Sequence, residues 1–150
     1  MRHLLGAWVM FALLVVACGG EPPAASGGAG GGGGGGGADL PAASSVMFGA
    51  SYDPVALTVG GKVTSAKAGT PLIAVGRAFT PQPAGGVVVK VGSGSSNKPE
   101  RPPTATNNPE NADLFAIDLS GDALTPGTWV VSFTTPAGKI LASGFLTVTP

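Results

Sequence analysis

The chain has one histidine and one cysteine, and both lie near its start. His3 precedes an uncharged run, Leu4–Ala17, and Cys18 closes that run. From Gly19 to Pro150 there is no imidazole and no thiol. A Ser-His-Asp triad, a Cys-His pair and a His/Cys zinc centre each require such a group. The chemistry left to the chain therefore falls to carboxylates, lysines and hydroxyls. Ser93, Ser95 and Ser96 sit in Gly92-Ser93-Gly94-Ser95-Ser96, which lacks the Gly-x-Ser-x-Gly spacing of a nucleophile elbow and reads as a loop. Asp118 and Asp122 flank Leu119-Ser120-Gly121. Two carboxylates held ~5–10 Å apart across a cleft can hydrolyse a glycoside. With Asp113 they form the enzymatic alternative for this chain, a small carboxylate-dependent hydrolase. A strand end followed by a turn accounts for the same residues. Asn107, Asn108, Glu110, Asn111 and Asp113 crowd hard oxygens together, the donors that Ca²⁺ prefers. Their spacing is not that of an EF-hand loop, and Asn and Asp are also turn formers. They are weak calcium candidates; no catalytic residue and no cofactor is expected.

The elements around these residues divide the chain into three parts. Residues 1–17 open with Arg2 and continue as the apolar run to Ala17. A membrane-spanning helix needs about 20 apolar residues, and this run is shorter. A charged start, a short apolar stretch and a small residue at its end describe a secretory signal peptide, although Val15-Val16-Ala17 is not the A-x-A pattern. Residues 18–45 read as a linker. They contain Glu21-Pro22-Pro23 and the unbroken run Gly30–Gly37. Glycine has nothing to bury and loses the most backbone freedom on folding. A Gly-rich coil of this length spans roughly 30 Å at ~5–6 Å × √n. A phosphate-cradling glycine loop would need a preceding strand, a following helix and a Lys-Ser/Thr pair, and the sequence offers none of them.

Residues 46–150 have the length of one small domain. The formal charge of the whole chain is zero, from 8 Lys and Arg against 8 Asp and Glu, and no run of one sign occurs. That balance leaves no electrostatic footprint for nucleic acid. Period-two alternation recurs: Val87, Val89 and Val91; Phe115, Ile117 and Leu119; Trp129, Val131 and Phe133. Each set belongs on one face of a strand. Gly and Pro punctuate the rest, at Gly60-Gly61, Gly69-Thr70-Pro71, Gly85-Gly86, Pro126-Gly127 and Pro136-Ala137-Gly138. The pattern predicts an all-β antiparallel sandwich of about seven strands. They fall near 46–52, 55–66 (broken at Gly60-Gly61), 71–79, 86–91, 113–119, 127–134 and 139–148, with a closing hairpin through Thr135–Gly138. Residues 92–112 are the exception. They hold Lys98-Pro99-Glu100-Arg101-Pro102-Pro103, and a connection this long is usually functional or disordered. A mobile loop, a short extra edge strand and a binding segment, with Pro99-x-x-Pro102 as polyproline II, all remain open.

Two resemblances add to this reading. Val15-Val16-Ala17-Cys18 resembles the lipobox of bacterial lipoproteins. It implies that Cys18 becomes the first residue of the processed chain, joined to diacylglycerol and acylated on its amine. It also implies that His3 is removed and that the only thiol is consumed. Gly19, where an Asp would hold the protein at the inner membrane, favours the outer membrane if the cell is Gram-negative. Ala68-Gly69-Thr70-Pro71-Leu72-Ile73-Ala74-Val75-Gly76-Arg77-Ala78-Phe79-Thr80-Pro81 is similar to the second strand of bacterial immunoglobulin-like domains of the IPT/TIG type, where a Gly-Thr step leads into a strand ending in Gly-x-x-Phe. Leu124-Thr125-Pro126-Gly127-Thr128-Trp129-Val130-Val131 resembles a turn common in such sandwiches. The family's Ser-Pro-x-x-Gly opening is missing here. Together they imply an immunoglobulin-like domain held to the membrane by lipid in the cell envelope. The domain would be non-catalytic, with a protein or glycan partner or a spacer's role.

Overall fold

The computed structural model of the chain describes residues 40–150. They form β-strands and no helix: β1 (Val46–Gly49), β2 (Ser51–Asp53), β3 (Thr58–Gly60), β4 (Ser65–Lys67), β5 (Ile73–Pro83), β6 (Val88–Ser93), β7 (Ser96–Asn97), β8 (Ala105–Thr106), β9 (Asn111–Asp118), β10 (Gly127–Thr134) and β11 (Ile140–Thr149). One sheet runs β1-β5-β9-β8, a second β4-β11-β10-β6-β7, and β2 pairs with β3 as a separate ribbon. The fold is an all-β sandwich. Each of the seven predicted segments contains strand, and the break expected at Gly60-Gly61 falls between β3 and β4. All pairings between named strands are antiparallel but one, since β4 lies parallel to β11 through Thr147↔Ser65, Val148↔Ala66 and Thr149↔Lys67.

Alternation decides which side of each strand is buried. Val89 and Val91 on β6, Phe115 and Ile117 on β9, and Trp129, Val131 and Phe133 on β10 all turn into one shared core. Trp129 is 1% exposed, and its indole N–H donates to the Thr125 carbonyl at 2.8 Å. A buried indole needs such a partner. Phe115 and Phe133 meet with ring centroids 6.1 Å apart. The Phe133 ring lies against the backbone of Gly76, where any Cβ would collide with it. This explains the glycine in the middle of β5, a position that normally weakens a strand.

The four-stranded sheet also buries its other face. Val59, Val75, Leu114 and Ala116 form a second apolar cluster, with Leu40, Met47, Tyr52 and Leu57 packed against it. The β2–β3 ribbon contributes Tyr52 and Val59 to that cluster, and Leu57 comes from the turn between its strands. The packed chain begins ahead of β1, because Pro41 is fully buried and the Ser44 N–H donates to the Arg77 carbonyl at 2.7 Å.

The β10–β11 hairpin closes at the expected residues. The Thr135 N–H donates to the Lys139 carbonyl and the Gly138 N–H to the Thr135 carbonyl, both at 2.8 Å. Gly138 has φ 87°, a value glycine adopts without cost.

Candidate functional site

Sheet edges are the first place to look for a binding site, because an unpaired edge invites another strand. Here most edges are closed from within. Val63 donates its N–H to Phe48 of β1 at 2.9 Å, and Ala50 donates to Gly60 at 2.8 Å. Where β5 runs past β1 it carries Pro81 and Pro83, which lack an N–H to offer. The 92–112 segment closes two more edges. It forms β7 against β6 and β8 against β9, so of the readings open for it the added edge strand is the one that forms. Between these pairings the segment crosses from one sheet to the other. Val89 and Arg101 exchange backbone hydrogen bonds at 2.8 and 3.3 Å on one side, and Thr104 donates to Ala116 at 2.8 Å on the other.

Arg101 fastens this crossing. Its guanidinium reaches the Asp122 carboxylate at 2.6 Å and the Asp118 carbonyl at 3.2 Å. Asp122 is thereby held in a structural ion pair. The Asp118 carboxylate accepts the Ser120 N–H at 2.8 Å in a local turn. The hydroxyl and N–H of Ser120, with a smaller contribution from Arg101, hold its carboxyl below the usual carboxylate range. Asp113 accepts from the Asn107 side-chain amide at 2.7 Å and from Arg77 at 3.4 Å. The three carboxylates of the hydrolase alternative thus serve three separate structural contacts.

The calcium candidates are engaged in the same way. The Asn107 side-chain Oδ1 accepts the Leu114 N–H at 3.1 Å, and the Asn108 Oδ1 accepts the Glu110 N–H at 3.0 Å. Glu110 and Asn111 are exposed, while Asp113 faces donors rather than free space. Among the described residues no group of three or more His, Cys, Asp or Glu is placed to hold a metal ion. The stretch expected to be a loop is a hairpin: Ser93 ends β6, Ser96 opens β7 and pairs with it, and Ser95 lies in the turn between them. Cys18 and His3 lie outside the described residues.

Tyr52 has a buried hydroxyl with no hydrogen-bond partner. Burial, and then the negative charges of Asp113 and Asp53, push its phenol above the usual tyrosine range.

The five-stranded sheet differs, because its outer face is open. Register places Phe145 beside Val130 and Val130 beside Gly92, with Ser143, Ser132 and Lys90 in the next row. Phe145 is 70% exposed. The hydroxyls of Ser132 and Ser143 lie 3.0 Å apart, and Lys90 pairs with Glu100 at 2.8 Å. Two grooves flank these rows. One, of about 590 Å³, is lined by Lys90, Gly92, Asn97, Lys98, Val130 and Ser132. The other, also about 590 Å³, lies beyond Phe145 and includes Pro41, Val46, Val63 and Thr64. At that second groove the edge of β11 is bridged only to either side of Phe145. Ser143 donates to Ser44 at 3.3 Å and Thr147 to Thr64 at 3.2 Å, and no bridge joins Phe145 itself.

Sequence reasoning missed this face. A signal was present, since Ala142, Gly144, Leu146 and Val148 alternate inward and leave Phe145 in phase with Ser143 and Thr147. A large aromatic in the polar phase of a strand is an exposed aromatic. No family model, no curated protein and no solved structure matches the chain.

Proposed function

We propose that this chain is a lipid-anchored protein of the cell envelope that presents a non-catalytic, immunoglobulin-like binding or accessory domain on a Gly-rich tether. The observation that carries the reading is the position of Cys18, where the apolar run Leu4–Ala17 meets Gly19-Gly20-Glu21. A lipobox cysteine carries two or three acyl chains. At ~0.8 kcal/mol per buried CH₂ one chain anchors only marginally, and two or more hold the protein stably. Residues 19–39 then lie between the anchor and the first described residue. The absence of imidazole and thiol after Cys18 favours binding over catalysis, as does the structural use of Asp113, Asp118 and Asp122. The IPT/TIG resemblance of 68–81 and 124–131 suits an accessory domain, and Gly19 favours the outer membrane if the cell is Gram-negative.

Cells grown with radiolabelled palmitate test the address. The wild-type chain takes up label and fractionates with membranes. Cys18→Ala loses the label and leaves the membrane fraction. Label retained in Cys18→Ala refutes the acylation site. Crosslinking in intact envelopes, followed by isolation of the anchored chain, tests the binding role; a chain that yields no adduct refutes it.

A further inference from the structure

This inference rests on the binding reading above and asks what the domain binds. The open outer face of the five-stranded sheet is the surface with the means. Its central rows combine one exposed aromatic ring, a hydroxyl pair, an amide and a balanced ion pair, between two grooves of about 590 Å³ each. We propose that this face binds a neutral oligosaccharide, laid across the strands with one sugar ring stacked on Phe145.

The chemistry of a sugar fits this face better than that of a protein. A pyranose has an apolar C–H face and a rim of hydroxyls. The negative face of an aromatic ring attracts polarised hydrogens, so Phe145 supplies the stacking surface. The rim needs donors and acceptors on the same plane. Ser132 and Ser143 lie one row away on adjacent strands. Neighbouring strands are about 4.8 Å apart, so these hydroxyls are within reach of a ring seated on Phe145. Asn97 adds a carboxamide at the lip of the first groove. It leans over Gly92, whose missing side chain makes that position possible, since a Cβ there would strike the Asn97 oxygen.

No cluster of like charge lines this face, which suits an uncharged ligand. Lys90 is balanced by Glu100 at 2.8 Å, and Lys98, over the Trp129 ring at 5.3 Å, adds a single positive charge at the groove. A protein partner would demand more apolar area. A stable interface buries about 800 Å² per partner around an apolar, aromatic-rich centre. Among the described residues, Phe145 is the only one of the four large exposed apolar side chains in these central rows. Val55 and Phe79 lie off this sheet, and Ile140 sits at the hairpin end of β11. The grooves on either side of the ring suit a linear chain that extends past the stacked sugar in both directions.

The test uses the full-length chain in detergent micelles. Calorimetric titrations with cellohexaose, chitohexaose, laminarihexaose and maltohexaose supply the probes. The expected result is binding of at least one probe. Phe145→Ala weakens it tenfold or more and Ser132→Ala weakens it measurably, while Phe79→Ala, the exposed aromatic on the other sheet, leaves it unchanged. Val130→Arg, which fills the face from its centre, abolishes binding and guards against a folding artefact in Phe145→Ala. Thermal melts of each variant accompany the titrations. Binding that survives both Phe145→Ala and Val130→Arg overturns the proposal, as does a wild-type chain that binds none of these probes. If such a chain still crosslinks to an envelope protein, the sugar inference falls and the binding reading stands. If it neither binds nor crosslinks, both fall.

Discussion

The outer face of the four-stranded sheet is covered by Leu40, Tyr52 and Leu57, which pack against Val59, Val75, Leu114 and Ala116. Among the described residues the outer face of the five-stranded sheet has no such cover, and it carries Ser132, Ser143, Lys90 and the exposed Phe145. The sequences of the strands reflect the difference. β9 reads Asn111-Ala112-Asp113-Leu114-Phe115-Ala116-Ile117-Asp118, apolar in both phases through its centre, as befits a strand buried on both faces. β10 alternates from Trp129 to Phe133 with Val130 and Ser132 turned outward. One sheet is therefore committed to stability on both sides. The other leaves its outer side exposed, and the proposed ligand would lie there.

Substitutions at three depths can break or sharpen this contrast. The largest effect is expected in the shared core. Trp129→Ala empties a site that is 1% exposed and strands the Thr125 carbonyl. Removing a buried aromatic of this size costs about 3–5 kcal/mol. Against a total of about 5–15 kcal/mol for a typical domain, that should abolish or sharply lower the cooperative transition in a urea titration followed by circular dichroism. A midpoint that does not move would mean that the two sheets do not share one core.

The second prediction falls on the covered outer face. Leu114 is 1% exposed but belongs to the smaller cluster. Leu114→Ala is expected to cost about 2–3 kcal/mol, the lower part of the range for such truncations, because the β2–β3 ribbon can settle toward the space. The same urea titration checks it. A loss under about 0.5 kcal/mol, the level of an ordinary surface change, would make the cover incidental and erase the contrast between the sheets.

How far the sequence announced this architecture depends on the residue. The inner faces of β6, β9 and β10 were legible because alternation is local, and the three predicted sets all enter the core. Leu114 and Ala116 were visible as apolar residues out of phase with Phe115 and Ile117. Their burial depended on the β2–β3 ribbon, whose docking is a long-range event that no local pattern encodes. The parallel pairing of β4 with β11 was hidden for the same reason, since its partners lie some eighty residues apart. β7 and β8 are two residues each, in a stretch rich in Ser, Asn and Pro. Their strand character comes from the edges they cover, not from propensity. In the candidate face Lys90 and Ser132 looked like ordinary solvent-facing positions. Only the register that sets them beside Gly92, Val130 and Phe145 makes them a surface.

The third and smallest effect concerns the crossing that joins the two sheets, where Arg101 reaches from the edge of β6 to the end of β9. The Asp118 carboxyl is held below its ordinary value of 3.8, first by the hydroxyl and N–H of Ser120 and then by Arg101. In the unfolded chain it returns to that ordinary value. Near and below it the unfolded state binds more protons than the folded one, so stability rises with pH there. The contribution is complete above the ordinary value and is lost as the pH falls through the lowered, folded one. Asp53 is shifted in the same direction by the N–H groups of Ala56 and Val55, but it sits in the exposed turn of the β2–β3 ribbon. Urea midpoints measured at about pH 7 and about pH 3 should therefore differ, with the lower value at acid pH. Asp118→Asn keeps an acceptor for the Ser120 N–H but has no charge to lose. It should lower the neutral midpoint slightly and narrow the gap between the two pH values. A gap that Asp118→Asn leaves at full width would place the acid sensitivity elsewhere, with Asp53, shifted in the same direction, the next carboxylate to replace.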